Sequence, residues 1–165
     1  MTARGLGLVY GGGRVGLMGV IADAVLASNG EVFGVIPQAL ATKELAHTGA
    51  TQLIVTTGMH ARKAKMAELA GAFVAMPGGF GTLDELFEAL TWAQLGFHKK
   101  PIGLLNVEGY FDGLALFADH MVSQGFLTRE HRAMMIVEHE STALLDRLLE
   151  YQGAPAPKWP GLGET

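Results

Sequence analysis

The residues best suited to chemistry lie in two glycine-rich loops and in a short basic segment between them. The first loop contains Gly11, Gly12 and Gly13, the basic segment runs over 59–63, and the second loop runs over 77–82. Successive glycines allow backbone N–H groups to turn toward an anion, and the start of a helix favours negative charge. The pattern indicates a small phosphate-bearing ligand.

The second loop reads Pro-Gly-Gly-Phe-Gly-Thr, follows an apolar run and opens a helical pattern. Its backbone is predicted to form an anion nest, and Thr82 either caps the helix or donates to a phosphate oxygen. The loop lacks the Gly-Lys-Ser/Thr ending of an ATP-binding Walker loop. Glu85 has two interpretations: it closes a capping box with Thr82, or it serves as a carboxylate near a bound ribose.

The first loop satisfies the G-x-G-x-x-G spacing over 11–16, between an apolar run and a helical pattern. A dinucleotide fold also needs an acid at the end of the next strand, whereas here that strand runs into Pro37 and Gln38. NAD is therefore disfavoured. Two interpretations remain: a phosphate-binding loop assisted by Arg14, or a tight turn that brings helix and strand together.

The basic segment reads Met-His-Ala-Arg-Lys and lies where a strand gives way to a helix. Arg62 and Lys63 oppose the helix dipole there, which favours a functional reason such as binding of phosphate or sugar. The alternative is a solvated helix face shared with Lys65. Met59 could stack on a base, although a core methionine is the commoner case.

The elements that must position these residues alternate between apolar runs and helical patterns. The spacing predicts strands at 6–10, 32–36, 53–56, 73–76, 102–106 and 134–137, and helices ending near 28, 69, 95, 123 and 151. Asn29 and Gly30 should end the first helix in a left-handed cap. Alternation of this kind predicts a Rossmann-like parallel α/β sheet with helices on both faces and ligands at the carboxyl ends of its strands. We expect one nucleotide-binding domain over 1–152 and a flexible tail over 153–165.

Composition narrows the class of protein further. The net charge is −4 in 165 residues, so nucleic acid is not an expected partner. The chain has no cysteine, and none of its six histidines pair at metal-ligand spacing, so neither a metal nor another cofactor is expected. The first residues are not expected to form a secretory signal, and the chain contains no apolar run of about 20 residues. These features predict a cytoplasmic protein without a membrane partner.

Several segments together resemble the Lonely Guy (LOG) family of cytokinin riboside 5′-monophosphate phosphoribohydrolases. They are the runs Tyr-Gly-Gly-Gly-Arg-Val-Gly-Leu-Met-Gly over 10–19, Gly-Val-Ile-Pro over 34–37, Met-His-Ala-Arg-Lys-Ala over 59–64, Pro-Gly-Gly-Phe-Gly-Thr-Leu-Asp-Glu over 77–85, Thr-Trp-Ala-Gln-Leu-Gly over 91–96 and Lys-Pro-Ile-Gly-Leu-Leu-Asn-Val-Glu-Gly-Tyr over 100–110. The resemblance covers nearly the whole chain. Family members usually begin with a further strand, loop and helix, and we expect this chain to lack that first βα unit.

The resemblance implies hydrolysis of the N-glycosidic bond of a nucleotide such as a cytokinin riboside 5′-monophosphate or AMP, giving a free base and ribose 5-phosphate. It implies Arg62 and Glu85 as catalytic residues, and a homodimer with sites near its interface. Glu44, Lys63 and Thr91 are expected to contact substrate on the same ground. With the loop residues, the predicted substrate-binding set is Gly11, Gly12, Gly13, Glu44, Met59, Lys63, Gly78, Gly79, Phe80, Gly81, Thr82 and Thr91.

Two other functions remain open at the level of sequence. One is a non-catalytic nucleotide-binding or carrier protein of the same fold, which ligand would stabilise without turnover. The other is an assembly or signalling module in which both glycine loops are only structural.

Overall fold

A computed structural model of the chain describes residues 1–42 and 45–153. The described residues divide into two compact units, one over 1–70 and one from residue 71 onward. The predicted alternation of strands and helices is confirmed in both. The strands are β1 (Leu8–Tyr10), β2 (Val32–Pro37), β3 (Gln52–Thr56), β4 (Phe73–Ala75), β5 (Ile102–Leu105) and β6 (Met135–Glu138). The helices are α1 (Gly16–Ala27), α2 (Met59–Leu69), α3 (Phe80–Leu95), α4 (Asp112–Ser123), α5 (Arg129–Arg132) and α6 (Ser141–Leu149).

The first unit is built on a parallel three-stranded sheet in which β2 lies between β1 and β3. Gly34 in β2 pairs with Tyr10 on one side and with Leu53 on the other. Parallel strands need a crossover between them, and α1 supplies the one between β1 and β2. Its core packs apolar side chains of β1, α1 and β2 together, namely Leu8, Tyr10, Ala22, Val25 and Val32.

The end of α1 follows the predicted left-handed cap. Asn29 has a φ of 58°, and the N–H groups of Asn29 and Gly30 donate to the carbonyls of Leu26 and Val25, both at 2.9 Å. This is the Schellman pattern, in which a left-handed residue lets the chain satisfy the last helical carbonyls. The cap turns the chain directly into β2.

The second unit repeats the architecture with β5 between β4 and β6, all parallel. Ile102 pairs with Phe73 on one side and with Met135 on the other. Helix α6 packs against this sheet, and a side chain at Gly103 would collide with Leu144 of that helix. The predicted parallel α/β, Rossmann-like class is confirmed, with helices flanking two three-stranded sheets.

The structure corrects some element boundaries. Helix α3 begins at Phe80, inside the predicted loop over 77–82, and α5 was not predicted. Residues 43–44 and 154–165 lie outside the described part of the chain, so the predicted tail and the single-domain division stay predictions. Among the described helices none is long and apolar enough to cross a membrane.

Candidate active site

The second glycine loop leads directly from β4 into the longest helix of the described chain, the 16-residue α3. Gly79 occupies the N-cap position with no side-chain cap, and its carbonyl accepts the Leu83 N–H at 3.2 Å. The N–H groups of the first helical turn have no acceptor within a helix, and the helix dipole places partial positive charge there. The start of α3 is therefore suited to bind a phosphate.

The glycines of this loop differ in why they are glycine. A Cβ at Gly78 would collide with the Thr82 hydroxyl, so the chain itself requires that position to be small. A Cβ at Gly79 or Gly81 would meet nothing within 4 Å. Gly79 has a φ of −92°, and Gly81 lies inside a helix, so neither needs a left-handed backbone. Open space at two glycines that the fold does not require suits the close approach of a ligand.

The capping-box interpretation of Glu85 is wrong. Because α3 begins at Phe80, Thr82 is its third residue rather than its N-cap, and Glu85 is its sixth. Glu85 is half-buried and lies four residues after Gly81, on the same face of the helix. Cα–Cβ bonds in a helix tilt toward the N-terminus, so the Glu85 side chain leaves α3 on the face that it shares with Gly81 and on the side of the loop.

Two further predicted substrate contacts lie on α3. Phe80 is 92% exposed at the first position of the helix. Thr91 is exposed, and its hydroxyl donates to the Phe87 carbonyl one turn earlier at 2.6 Å. That bond uses the Thr91 proton, so the hydroxyl is left to a ligand only as an acceptor.

The first glycine loop is held by the chain's own backbone. The Gly12 carbonyl accepts the His47 N–H at 2.9 Å, and the Arg14 N–H donates to Leu45 at 2.9 Å. Gly13 forms an isolated antiparallel bridge with Ala46. Gly12 has a φ of 73°, which glycine adopts without strain. These contacts give the tight-turn interpretation a concrete basis, and substrate binding by this loop stays a prediction.

Arg62 is the buried residue of α2, four positions into the helix. Its Nε donates to the Val35 carbonyl at 3.1 Å, and its guanidinium lies where a Cβ at Gly11 would be. The interpretation of Arg62 as part of a solvated face is therefore wrong. Gly11 is small because the arginine occupies that space. The first loop and the basic segment are therefore in direct contact. A charged side chain is seldom buried without a structural or functional reason, so Arg62 remains a candidate site residue.

The other predicted residues of the first unit are placed less specifically. Met59 is exposed at the first position of α2, so it is not a core methionine, and Lys63 is half-buried one turn later. Glu44 lies outside the described residues. Lys65, on the same helix, pairs with Glu68 at 2.7 Å. No cluster of three acidic or histidine side chains suited to a metal ion occurs within 1–42 and 45–153.

Behind the first loop lies a polar group that the sequence patterns did not reveal. His47 is buried, and its Nε2 lies 3.0 Å from Oδ1 of Asp23 on α1. Its ring also meets that of Tyr10 edge-on, with centroids 6.4 Å apart. Burial, and then the Asp23 carboxylate, raise the pKa of Tyr10 to about 12. Residues 45–47 form backbone hydrogen bonds with the first loop, and the His47 side chain connects this segment to α1.

A second unpredicted group lies beside the second loop. Asn106, at the carboxyl end of β5, is only 1% exposed, and the Tyr110 hydroxyl donates to the Gly78 carbonyl at 2.6 Å. A polar residue directly after a buried parallel strand was the available signal for Asn106. Nothing in the sequence indicated that Tyr110 reaches a loop 32 residues away.

Comparison with known proteins places the chain among sequences of one kind. A family model described as possible lysine decarboxylase matches residues 18–148. A probable cytokinin riboside 5′-monophosphate phosphoribohydrolase of Oryza sativa subsp. japonica is 46% identical over 151 residues, covering 92% of this chain and 72% of that protein. Another rice cytokinin riboside 5′-monophosphate phosphoribohydrolase, LOG, is 47% identical, with 92% and 62% covered. The cytokinin riboside 5′-monophosphate phosphoribohydrolase LOG2 of Arabidopsis thaliana is 45% identical, covering 92% of this chain and 71% of that protein.

Proposed function

The chain belongs to the Lonely Guy (LOG) family, and from that membership we propose that it is a nucleotide N-glycosidase. It hydrolyses nucleoside 5′-monophosphates, among them cytokinin riboside 5′-monophosphates and AMP, to a free base and ribose 5-phosphate. The observation that carries the proposal is the start of α3, where the open space at Gly79 and Gly81 and the half-buried Glu85 lie near the N-terminus of one helix.

The chemistry follows from the charge that hydrolysis creates. As the bond from C1′ to the base nitrogen breaks, positive charge builds on the ribose ring, a water hydroxyl bonds to C1′, and the base leaves with a proton. Glu85, on the first turns of the same helix, stabilises that positive charge or accepts a proton from the water. The 5′-phosphate binds at the first turn of α3 and so anchors the ribose. The N–H groups and the dipole of the helix supply the binding energy.

Arg62 is proposed as the second catalytic residue. Its guanidinium is buried against Gly11 and its Nε donates to the Val35 carbonyl, so its orientation is fixed before a ligand binds. A planar, permanently charged donor suits a phosphate or sugar oxygen better than lysine would. We assign the remaining substrate contacts to the predicted glycine-loop residues together with Glu44, Met59, Lys63, Phe80, Thr82 and Thr91.

A homodimer is also part of the proposal. Large apolar side chains stand exposed in the second unit, including Leu116 at 69% on α4 and Phe126 at 81% after it. Exposed apolar surface of this kind suits a second copy of the chain. Light scattering on the purified protein should give twice the chain mass, and Leu116→Glu should lower it. We expect the protein in the cytoplasm, which fractionation of the producing cells would test.

The experiment is an assay of base release by the purified chain. AMP and isopentenyladenosine 5′-monophosphate should each yield base and ribose 5-phosphate in equal amounts. Adenosine is the matched control, since it carries the same bond without the phosphate, and it should be cleaved far more slowly. Binding of AMP without release of adenine would contradict the proposal and favour a nucleotide carrier.

A further inference from the structure

The turn between β5 and α4 bears directly on the second glycine loop. At its end the Tyr110 hydroxyl donates to the Gly78 carbonyl at 2.6 Å. Tyr110 and Gly78 both belong to the second compact unit, which also contains α3. This side-chain contact reaches the loop from outside the segment formed by β4 and α3.

Holding the Gly78 carbonyl also fixes the N–H of the next residue. The two groups belong to one planar peptide unit, and in a trans peptide they point in opposite directions. Gly78 and Gly79 are consecutive glycines, whose backbone would otherwise rotate with little resistance. With its carbonyl bonded to Tyr110, the peptide presents the Gly79 N–H to the opposite side, at the N-cap of α3.

The turn that carries Tyr110 is itself firmly anchored through Asn106. The Asn106 Oδ1 accepts the Phe111 N–H at 2.6 Å, and its Nδ2 donates to Asp112 at 2.7 Å. The Asn106 backbone N–H donates to Glu138 at 2.8 Å, and its carbonyl lies 2.9 Å from Nδ1 of His139. A buried side chain with both polar ends satisfied leaves the turn one conformation.

Two features show that this turn is specified rather than incidental. Glu108 has a φ of 50°, a left-handed backbone that costs free energy for a residue with a side chain, and Gly109 follows at 75°. Phe111 is fully buried, and its ring meets that of Tyr110 edge-on at 5.1 Å. The strained backbone and the anchored ring together place the Tyr110 hydroxyl at the loop, although Tyr110 itself is 55% exposed.

We propose that Tyr110 is a positioning residue for phosphate binding: its hydroxyl holds the Gly78–Gly79 peptide so that the Gly79 N–H faces the substrate phosphate. This assignment rests on the proposed function of the loop. It predicts that the hydroxyl affects binding of the phosphate and leaves the bond-breaking step to Glu85.

The test is Tyr110→Phe, which removes one oxygen from an exposed side chain. Loss of one neutral hydrogen bond should raise KM for AMP and Ki for ribose 5-phosphate by the same factor, roughly 3- to 10-fold. The kcat, the melting temperature and the Ki for adenine should not change. Tyr151→Phe is the matched control, since it deletes the same atom from a half-buried tyrosine of the same unit, and it should match wild type.

The outcomes separate this assignment from the proposed function. Unchanged KM and Ki in Tyr110→Phe would overturn the positioning role, as would a loss of kcat that accompanies a lower melting temperature. If the wild-type chain released no base, the hydrolase proposal would fail. Calorimetric binding of ribose 5-phosphate would still test the positioning role. A Kd raised in Tyr110→Phe but not in Tyr151→Phe would support that role, and an unchanged Kd in Tyr110→Phe would overturn it.

Discussion

A single methyl group at residue 81 should separate folding from function. Gly81 is the second residue of α3, and a Cβ there would meet no atom within 4 Å. Alanine favours a helix over glycine by about 0.5–1 kcal/mol in a helix interior, and by less in the first turn. We therefore expect the free energy of unfolding of Gly81→Ala to equal that of wild type or to exceed it by up to about 0.5 kcal/mol.

Catalysis should respond in the opposite direction. The added methyl stands on the face that residue 81 shares with Glu85, at the proposed approach of phosphate and ribose. Displacing a substrate by about 1 Å from its reactive position costs on the order of 100-fold in rate. We expect kcat/KM for AMP to fall roughly 10- to 100-fold, or about 1.4–2.8 kcal/mol of transition-state stabilisation.

The matched control is Gly113→Ala. Gly113 is likewise the second residue of its helix, α4, and a Cβ there also meets nothing within 4 Å. Both variants should show the same effect in urea unfolding, and only Gly81→Ala should lose adenine release. Wild-type kcat/KM in Gly81→Ala would refute the reasoning, because the space above residue 81 would then not be occupied by substrate.

Three further perturbations test the first unit. Gly11→Ala should lower the free energy of unfolding by about 1–3 kcal/mol in urea, because its methyl collides with the Arg62 guanidinium. Asp23→Ala should cost about 0.5–1.5 kcal/mol in the same assay by removing the partner of His47. The raised pKa of Tyr10, about 12 against 10.0, keeps the folded phenol neutral where the unfolded phenol ionises. The free energy of unfolding should thus fall as pH rises from 10.0 to about 12. The free energy of unfolding of Tyr10→Phe should fall less over the same range.

Each of these perturbations has an outcome that would contradict it. An unaltered unfolding curve for Gly11→Ala would mean that the Arg62 guanidinium is not held tightly against the loop. An unaltered unfolding curve for Asp23→Ala would mean that its contact with His47 adds nothing to stability. Asp119→Ala, which breaks a contact of 2.8 Å to Arg132 in the other unit, gives the scale for a surface ion pair. The Tyr10 account fails if Tyr10→Phe and wild type lose stability equally in alkali.

The sequence was sufficient to predict the parallel α/β class because the periodicity of apolar residues is a local property. The left-handed end of α1 was predicted for the same reason, since Asn29 and Gly30 alone determine that cap. The start of α3 was misplaced because Thr82 and Glu85 match a capping-box pattern. The helix instead begins at Phe80, and its N-cap Gly79 produces no comparable pattern.

The contacts that shape the candidate site were beyond sequence reasoning because they join distant segments. His47 lies 24 residues from Asp23, and Tyr110 lies 32 residues from Gly78. Burial of Arg62 was equally hidden, since an arginine near a helix start is more often solvated. The three glycines at 78, 79 and 81 looked alike in sequence, and only the space around each showed that Gly78 serves the fold.

Glu85 is proposed to drive cleavage of the glycosidic bond of a nucleotide held at the start of α3. The most direct test of this role is adenine release from AMP by wild type, Glu85→Gln and the control Asp84→Asn. The control likewise converts a carboxylate to an amide, one residue earlier. We predict that Glu85→Gln lowers kcat by about 100- to 10,000-fold with AMP binding retained, while Asp84→Asn stays near wild type. Equal rates of release for Glu85→Gln and wild type would contradict the account.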